Sequence, residues 1–183
     1  LEQVHRLMLD AQAAGVDAFI VQDLALTQWD DITVPLHAST QCAIRTPEKA
    51  QWLESLGFGR LVLERELSLE QIREISAAVS CEIEAFVHGA LCVCYSGQCY
   101  LSESLSDRSA NRGACTQSCR WNYALMEQKR PGEYFPVEED AGGTTILSSF
   151  DLNCLDFIDR LMDAGVTSFK LEGRMKSPYY VAT

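Results

Sequence analysis

Three times along this chain an amphipathic helix runs into a glycine and is followed at once by a short apolar run. Residues 1–14 place Leu1, Val4, Leu7, Met8 and Ala11 at helical spacing, Gly15 ends the helix, and 16–21 follows at strand length. The same order returns as 47–56, Gly57 and 60–64, and again as 155–164, Gly165 and 168–171. Further strands are expected at 36–44, 82–88 and 144–150, and Ser68 with Gln71 three residues on predicts a capping box opening a helix over 69–79. Repetition of this kind specifies βα units and a mainly parallel sheet, hence an α/β fold.

Six strands are expected, centred near residues 18, 38, 62, 85, 147 and 170. This regular series predicts a parallel (β/α) barrel, incomplete here, with about six of the eight strands such a barrel needs. An open doubly wound sheet is the alternative. The chain reads as a single domain over 1–183, with 89–143 as a Cys- and Arg-rich insertion after the fourth strand. A gap that long inside a compact domain marks function or disorder. In either architecture the site lies at the carboxyl ends of the strands. Candidates there are Gln22, Asp23, Ser39, Thr40, Gln41, Glu64, Arg65, His88, Ser148, Ser149, Asp151, Lys170, Glu172 and Arg174.

Five of the eight cysteines fall at 92, 94, 99, 115 and 119, and Cys154 follows the fifth expected strand. Cys42 and Cys81 lie in or beside expected strands and read as small buried hydrophobes, and Cys94 is expected to pack as well. Zinc favours two tight Cys pairs; Cys115 and Cys119 meet that spacing, whereas Cys92 and Cys99 are too far apart. Wide, uneven spacing from several loops suits an iron–sulfur cluster better. Spacing alone leaves cluster, zinc and free or disulfide-bonded thiols open, and does not choose four ligands from five cysteines. Arg108, Arg112, Arg120, Lys129 and Arg130 share the long loop with Trp121 and Tyr123, a combination that can hold phosphate and stack on a base. Lys170, Glu172 and Arg174 alternate off the last strand and would share one face, suited to an anionic ligand.

The net charge of −11 argues against a general nucleic-acid coat but leaves room for a local basic patch. No apolar run approaches the roughly 18 residues of a membrane helix, so no membrane partner is expected. Clustered thiols in a chain rich in Leu, Val and Ile point away from a secreted disulfide scaffold and toward a cytoplasmic enzyme. The chain begins at Leu1 without a leader and is expected to be a piece of a longer protein. Neither G-x-S-x-G nor H-E-x-x-H occurs. His88 and Cys92 are close in sequence, which is too little for a Cys–His nucleophile pair.

Several long motifs carry a resemblance. They are FVHGALCVCYSGQCYLS at 86–102, RGACTQSCRW at 112–121, SSFDLNCL at 148–155 and KLEGRMKSPYYVA at 170–182, with HASTQ at 37–41 and LERELS at 63–68. Across essentially its whole length the chain resembles the collagenase-like peptidase family U32. The family is named for proteolysis. The resemblance also implies oxygen-independent hydroxylases with a 4Fe–4S cluster on four cysteines, acting on tRNA wobble uridine, on a ribosomal RNA cytidine, or in ubiquinone synthesis. EYFPVEED at 133–140 is most similar to the tRNA branch, which implies prephenate as hydroxyl source.

Mapped onto this chain, the resemblance implies Cys92, Cys99, Cys115 and Cys154 as cluster ligands, with Cys119 in reserve. Arg112, Arg120, Lys170 and Arg174 would hold anionic substrate, and His88 or Glu172 would move a proton. The family's N-terminal strands and C-terminal domain have no counterpart here, and Ser149–Phe150 stands where a Ser–Lys pair is common. The expected partner is tRNA or another RNA, with a dimer through the open barrel edge. A peptidase, or a zinc-stapled RNA-binding module, is the alternative. An exposed cluster is also expected to be lost in aerobic preparation.

Overall fold

The fold is described from a computed structural model, which describes residues 1–92, 94–121, 123–126, 128–136, 151–174 and 176–183. The chain divides into two compact units. Unit 1 comprises Leu1–Gly89 and Asn153–Glu172, and unit 2 comprises Ala90–Leu152 and Gly173–Thr183.

Unit 1 is framed by a six-stranded, mostly parallel sheet, three residues of which, Ala90, Asp151 and Leu152, fall in unit 2. Its strands are β1 (Phe19–Val21), β2 (Leu36–Ala38), β3 (Arg60–Val62), β4 (Glu82–Ala90), β7 (Asp151–Asn153) and β8 (Ser168–Glu172). The order is β1-β2-β3-β4-β7, and β8 also pairs with β4. The registers of β1 with β2, β2 with β3, β3 with β4 and β4 with β8 are all parallel. The helices of unit 1 are α1 (Glu2–Ala13), α2 (Pro47–Ser55), α3 (Leu69–Ala78) and α5 (Ile158–Asp163).

Local chemistry accounts for the helix ends. Thr46 caps α2 by accepting from the Lys49 N–H, with Pro47 in the first turn where its missing N–H costs nothing. The expected capping box of α3 forms in both directions: the Ser68 hydroxyl accepts from the Gln71 N–H, and the Gln71 side chain accepts from the Ser68 N–H. Gly15, Gly57 and Gly165 all have φ between +90° and +95°, the left-handed turn that ends each helix. At Gly165 a Cβ would also meet the Ser76 Oγ at 1.9 Å, so this glycine lets α5 turn directly against α3.

The strands differ from expectation in their bounds. The run 36–44 is a strand only as far as Ala38. The Ser39 side chain accepts from the Gln41 N–H and turns the chain over Thr40–Cys42, and Ala43 then takes φ +56°. Cys42 and Ile44 still enter the core, as turn residues rather than strand residues. The strand expected over 144–150 lies outside the described residues.

One face of the sheet is apolar. Leu61, Leu63, Ile83, Ala85 and Val87 join Leu53 of α2, Ile72 and Ile75 of α3, Met8 of α1 and Leu161 of α5 in a single buried cluster. Burying a side chain of this size contributes about 1.5–3 kcal/mol. Of the rest of the apolar stripe expected on α1, Ala11 is half-buried and Leu1, Val4 and Leu7 are exposed.

Unit 2 has α4 (Leu101–Ser106), α6 (Pro178–Ala182) and a hairpin unforeseen from the sequence. Its strands β5 (Ala124–Met126) and β6 (Tyr134–Pro136) pair antiparallel. The described residues buried in unit 2 are two alanines, Ala90 and Ala110, and three serines, Ser96, Ser102 and Ser118.

Candidate functional site

In unit 1 the face of the sheet opposite the helices carries charge. Alternation along β4 sends Ile83, Ala85 and Val87 into the core and leaves Glu84, Phe86 and His88 on the other side. Parallel register sets Ser168 beside Glu84 and Lys170 beside Phe86. The Glu84 carboxylate is buried and accepts from Lys170 Nζ at 3.0 Å, Arg60 Nη1 at 3.0 Å and Ser168 Oγ at 2.9 Å. Arg60 also donates from Nε to Glu82 at 2.7 Å. Burial pushes Glu84 upward, but the bonds from Lys170, Ser168 and Arg60 bring it below the ordinary carboxylate value. His37, on β2 beside Arg60, is lowered first by burial and then by the Arg60 charge.

Toward the carboxyl ends of the strands, the Arg65 guanidinium lies 3.5 Å from the centre of the Phe86 ring, and its Nη2 is 3.7 Å from Glu172 Oε2. Arg45 donates to the buried Glu64 at 2.6 Å; burial raises the Glu64 pKa and Arg45 opposes the rise. His88 is half-buried at a register shift between β4 and β8. There Gly89 adopts φ +103°, and a Cβ on it would stand 2.3 Å from the Glu172 carbonyl oxygen. Only glycine lets the two strands approach so closely. Cys154 is tied to β4 by its N–H on the Val87 carbonyl at 2.9 Å, and burial pushes its thiol up.

The five clustered cysteines belong to unit 2, and all are free thiols. Cys94 is raised first by burial, then by a hydrogen bond and charge from Cys99, and further by Cys119 and Cys92. Cys119 is raised by burial and then by the charges of Cys92, Cys115 and Cys99, with Arg120 opposing. Cys94 thus lies within electrostatic reach of Cys92, Cys99 and Cys119, and Cys119 within reach of Cys92, Cys99 and Cys115. Two loop contacts aim the thiols: Asn111 Oδ1 accepts from the Cys99 N–H at 2.9 Å, and the Gln117 N–H points at Cys115 Sγ at 3.3 Å.

Among the described residues no three His, Cys, Asp or Glu side chains are arranged to hold one metal ion. A tetrahedral zinc with 2.3 Å bonds brings sulfurs to about 3.8 Å of each other. A cubane spreads its four thiolates over four different irons and needs a wider ring.

The basic residues are less available than their spacing suggests. Lys170 is committed to Glu84, so an anion there must compete with a buried carboxylate. Arg120 is paired with Asp151, which also accepts from Lys176 at 2.6 Å. Arg174 donates to the Gly113 carbonyl at 3.0 Å. Arg112 stands exposed at the end of the turn Ala110–Arg112. The structure thus brings Cys92, Cys99, Cys115 and Cys119 together with Arg120 in unit 2, while His88, Cys154, Lys170 and Glu172 belong to unit 1. Reading for strand ends missed Arg60 and Glu84. Their signal was the pair of glutamates at 82 and 84 inside an otherwise apolar strand.

Residues 1–183 match peptidase family U32, and the chain belongs to that family. It is 49% identical over 181 residues to the 23S rRNA 5-hydroxycytidine C2501 synthase of Escherichia coli K12, covering 99% of this chain and 27% of that protein. It is 39% identical to tRNA hydroxylation protein P1 of Bacillus subtilis 168, covering 100% of this chain and 43% of the relative. It is also 39% identical to a collagenase of Porphyromonas gingivalis W83, covering 97% and 45%. The chain thus spans less than half the length of each of these relatives.

Proposed function

We propose that this chain is part of an RNA hydroxylase that carries an iron–sulfur cluster on the thiols of unit 2. The carrying observation is that unit 2 gathers five free thiols, with Cys92, Cys94, Cys99 and Cys115 all within electrostatic reach of Cys119. A metal group bound to thiolates supplies folding free energy directly, and small units are commonly stapled in this way. When bound, such a cluster would supply one-electron chemistry for hydroxylating a pyrimidine, with prephenate as the proposed hydroxyl source.

The chain's own residues would do the rest. Cys92, Cys99 and Cys115 would hold iron, with Cys119 or Cys154 as fourth ligand. Arg112 would meet RNA phosphate. Arg120 and Arg174, already bonded to Asp151 and Gly113, would brace the thiol loop. Glu172, oriented by Arg65, or His88 would carry a proton. Relatives named for hydroxylating ribosomal RNA and tRNA support RNA as substrate, and the higher identity is to the ribosomal RNA protein.

A closed (β/α) barrel for the complete protein is part of the same proposal. A doubly wound sheet covers both faces with helices and is apolar on both, whereas here one face is apolar and the other carries Arg60, Glu84 and Lys170. A dimer through the edge strand β1, which pairs with β2 among the described strands, also belongs to it, and so does a cytoplasmic location. Sedimentation of the full-length protein as a monomer would remove the dimer. No helix among the described residues is long and apolar enough to cross a membrane.

The test is anaerobic purification of the full-length protein, assay of iron, sulfide and visible absorbance, and mass spectrometry of nucleosides from treated RNA. Iron, sulfide and a hydroxylated pyrimidine are expected. An iron-free protein that still hydroxylates RNA would overturn the proposal. Comparing Cys119→Ala with Cys154→Ala for iron content identifies the fourth ligand. The collagenase relative supports a second reading, peptidase activity, which gelatin cleavage by iron-free protein would favour.

A further inference from the structure

The loop that carries Cys115 and Cys119 is tied to α4 through the side-chain hydroxyls of Ser102 and Ser106. Ser102 and Ser106 stand one turn apart on α4 and so share a face. The Thr116 N–H donates to Ser102 Oγ at 3.0 Å. Thr116 Oγ1 lies 2.9 Å from Ser102 Oγ, 3.3 Å from Ser106 Oγ and 2.7 Å from Ser118 Oγ. Ser102 and Ser118 are each only 2% exposed.

Proton counting shows why the centre of this set matters. The Ser106 hydroxyl spends its hydrogen on the Ser102 carbonyl at 2.6 Å, so toward Thr116 it can only accept. Thr116 has one hydrogen to give, and its remaining hydroxyl neighbours must donate to it. Removing this one oxygen therefore strands hydroxyls that are closed off from water. Around it the chain is held in an uncommon shape: Gln117 takes φ +55°, its N–H donates to Cys115 Sγ at 3.3 Å, and Tyr123 OH donates to the Ser118 carbonyl at 2.6 Å.

We infer that Thr116 is the positioning residue of the thiol loop, setting the placement of Cys115 and Cys119 through Ser102 and Ser118. Its link to iron rests on the function proposed above; its link to the thiols does not. The substitutions are Thr116→Val, which keeps shape and removes the hydroxyl, Thr116→Ser, which restores it, and Ser118→Ala, which removes one partner only.

In full-length protein without metal, alkylation of each cysteine by N-ethylmaleimide is timed by mass spectrometry, with buried Cys42 as internal reference. Iron is then measured after anaerobic reconstitution. In Thr116→Val, Cys115 and Cys119 are expected to react several-fold faster, with Cys92, Cys94 and Cys99 little changed. Iron retention falls, and Thr116→Ser restores both readouts. Unchanged rates at Cys115 and Cys119 would overturn the role. So would equal acceleration of all five thiols in both Thr116→Val and Ser118→Ala, which would make Thr116 a general folding element. Faster alkylation in Thr116→Val, in a protein whose wild type takes up no iron, would instead remove the cluster and leave Thr116 in place.

Discussion

Unit 1 gathers nineteen described apolar residues into one buried cluster, from Met8 to Val166, while the described part of unit 2 buries two alanines and three serines. Charge divides along the same line. Unit 1 holds eight Lys and Arg against eighteen Asp and Glu, and unit 2 holds seven against eight. All six tyrosines and five of the eight cysteines are in unit 2, and Tyr95, Tyr100, Tyr123, Tyr134 and Tyr179 are exposed there. One unit therefore folds on apolar burial and repels a polyanion. The other lacks an apolar core among its described residues, is nearly neutral, and presents rings that can stack on bases. An overall charge of −11 hides this division.

The largest effect that would break the comparison is on unit 2 alone. If a metal group staples it, an iron chelator should raise amide hydrogen exchange over residues 94–121 by orders of magnitude and leave β3 and β4 protected. Equal protection with and without chelator would mean that unit 2 holds itself together. Next come substitutions matched by burial. Leu61→Ala should cost about 2–5 kcal/mol as a cavity in the unit 1 core. Ser102→Ala should cost about 1–3 kcal/mol, because it leaves the Thr116 N–H without its acceptor. Denaturant titrations of both variants check the order. Smaller again is Arg112→Ala, which should weaken RNA binding uniformly across sequences and reduce the slope of log affinity against log salt by about one. Binding measured across a salt series reads that slope directly.

The frame was legible because its signals are local. The Ser68–Gln71 box and the glycines at 15, 57 and 165 each act within a few residues, and each stands where the sequence puts it. The end of β2 was misread because an apolar run hid a side-chain turn at Ser39. The charged face was illegible for a different reason. The bond from Arg60 to Glu84 spans 24 positions and that from Lys170 to Glu84 spans 86, so both depend on strand register that no local pattern reports. Lys170 could be placed on a strand and given a charge, but its partner could not be read. The thiols were visible as a cluster, whereas the hydroxyls that hold two of them were not, since serine and threonine look alike on a surface and in a network.

The smallest effect is a pH dependence confined to unit 1, and it has two arms of opposite sign. Glu64 is raised above its ordinary value of 4.5 by burial, which Arg45 only partly offsets. Its contribution to stability is fully present below pH 4.5 and is lost as pH rises through the folded value. Glu84 is pushed up by burial but brought net below 4.5 by Lys170, Ser168 and Arg60. Its contribution is present above pH 4.5 and is lost as pH falls through the folded value. On acidification unit 1 should therefore first gain a little stability, as Glu64 takes up its proton, and then lose it as Glu84 does. In a Trp121→Phe background the fluorescence of Trp29 and Trp52 reports unit 1 alone. Glu64→Gln should flatten the arm above pH 4.5, and Glu84→Gln the arm below it. If both variants keep the wild-type profile, the carboxylates of the charged face are not what sets the acid behaviour of this unit.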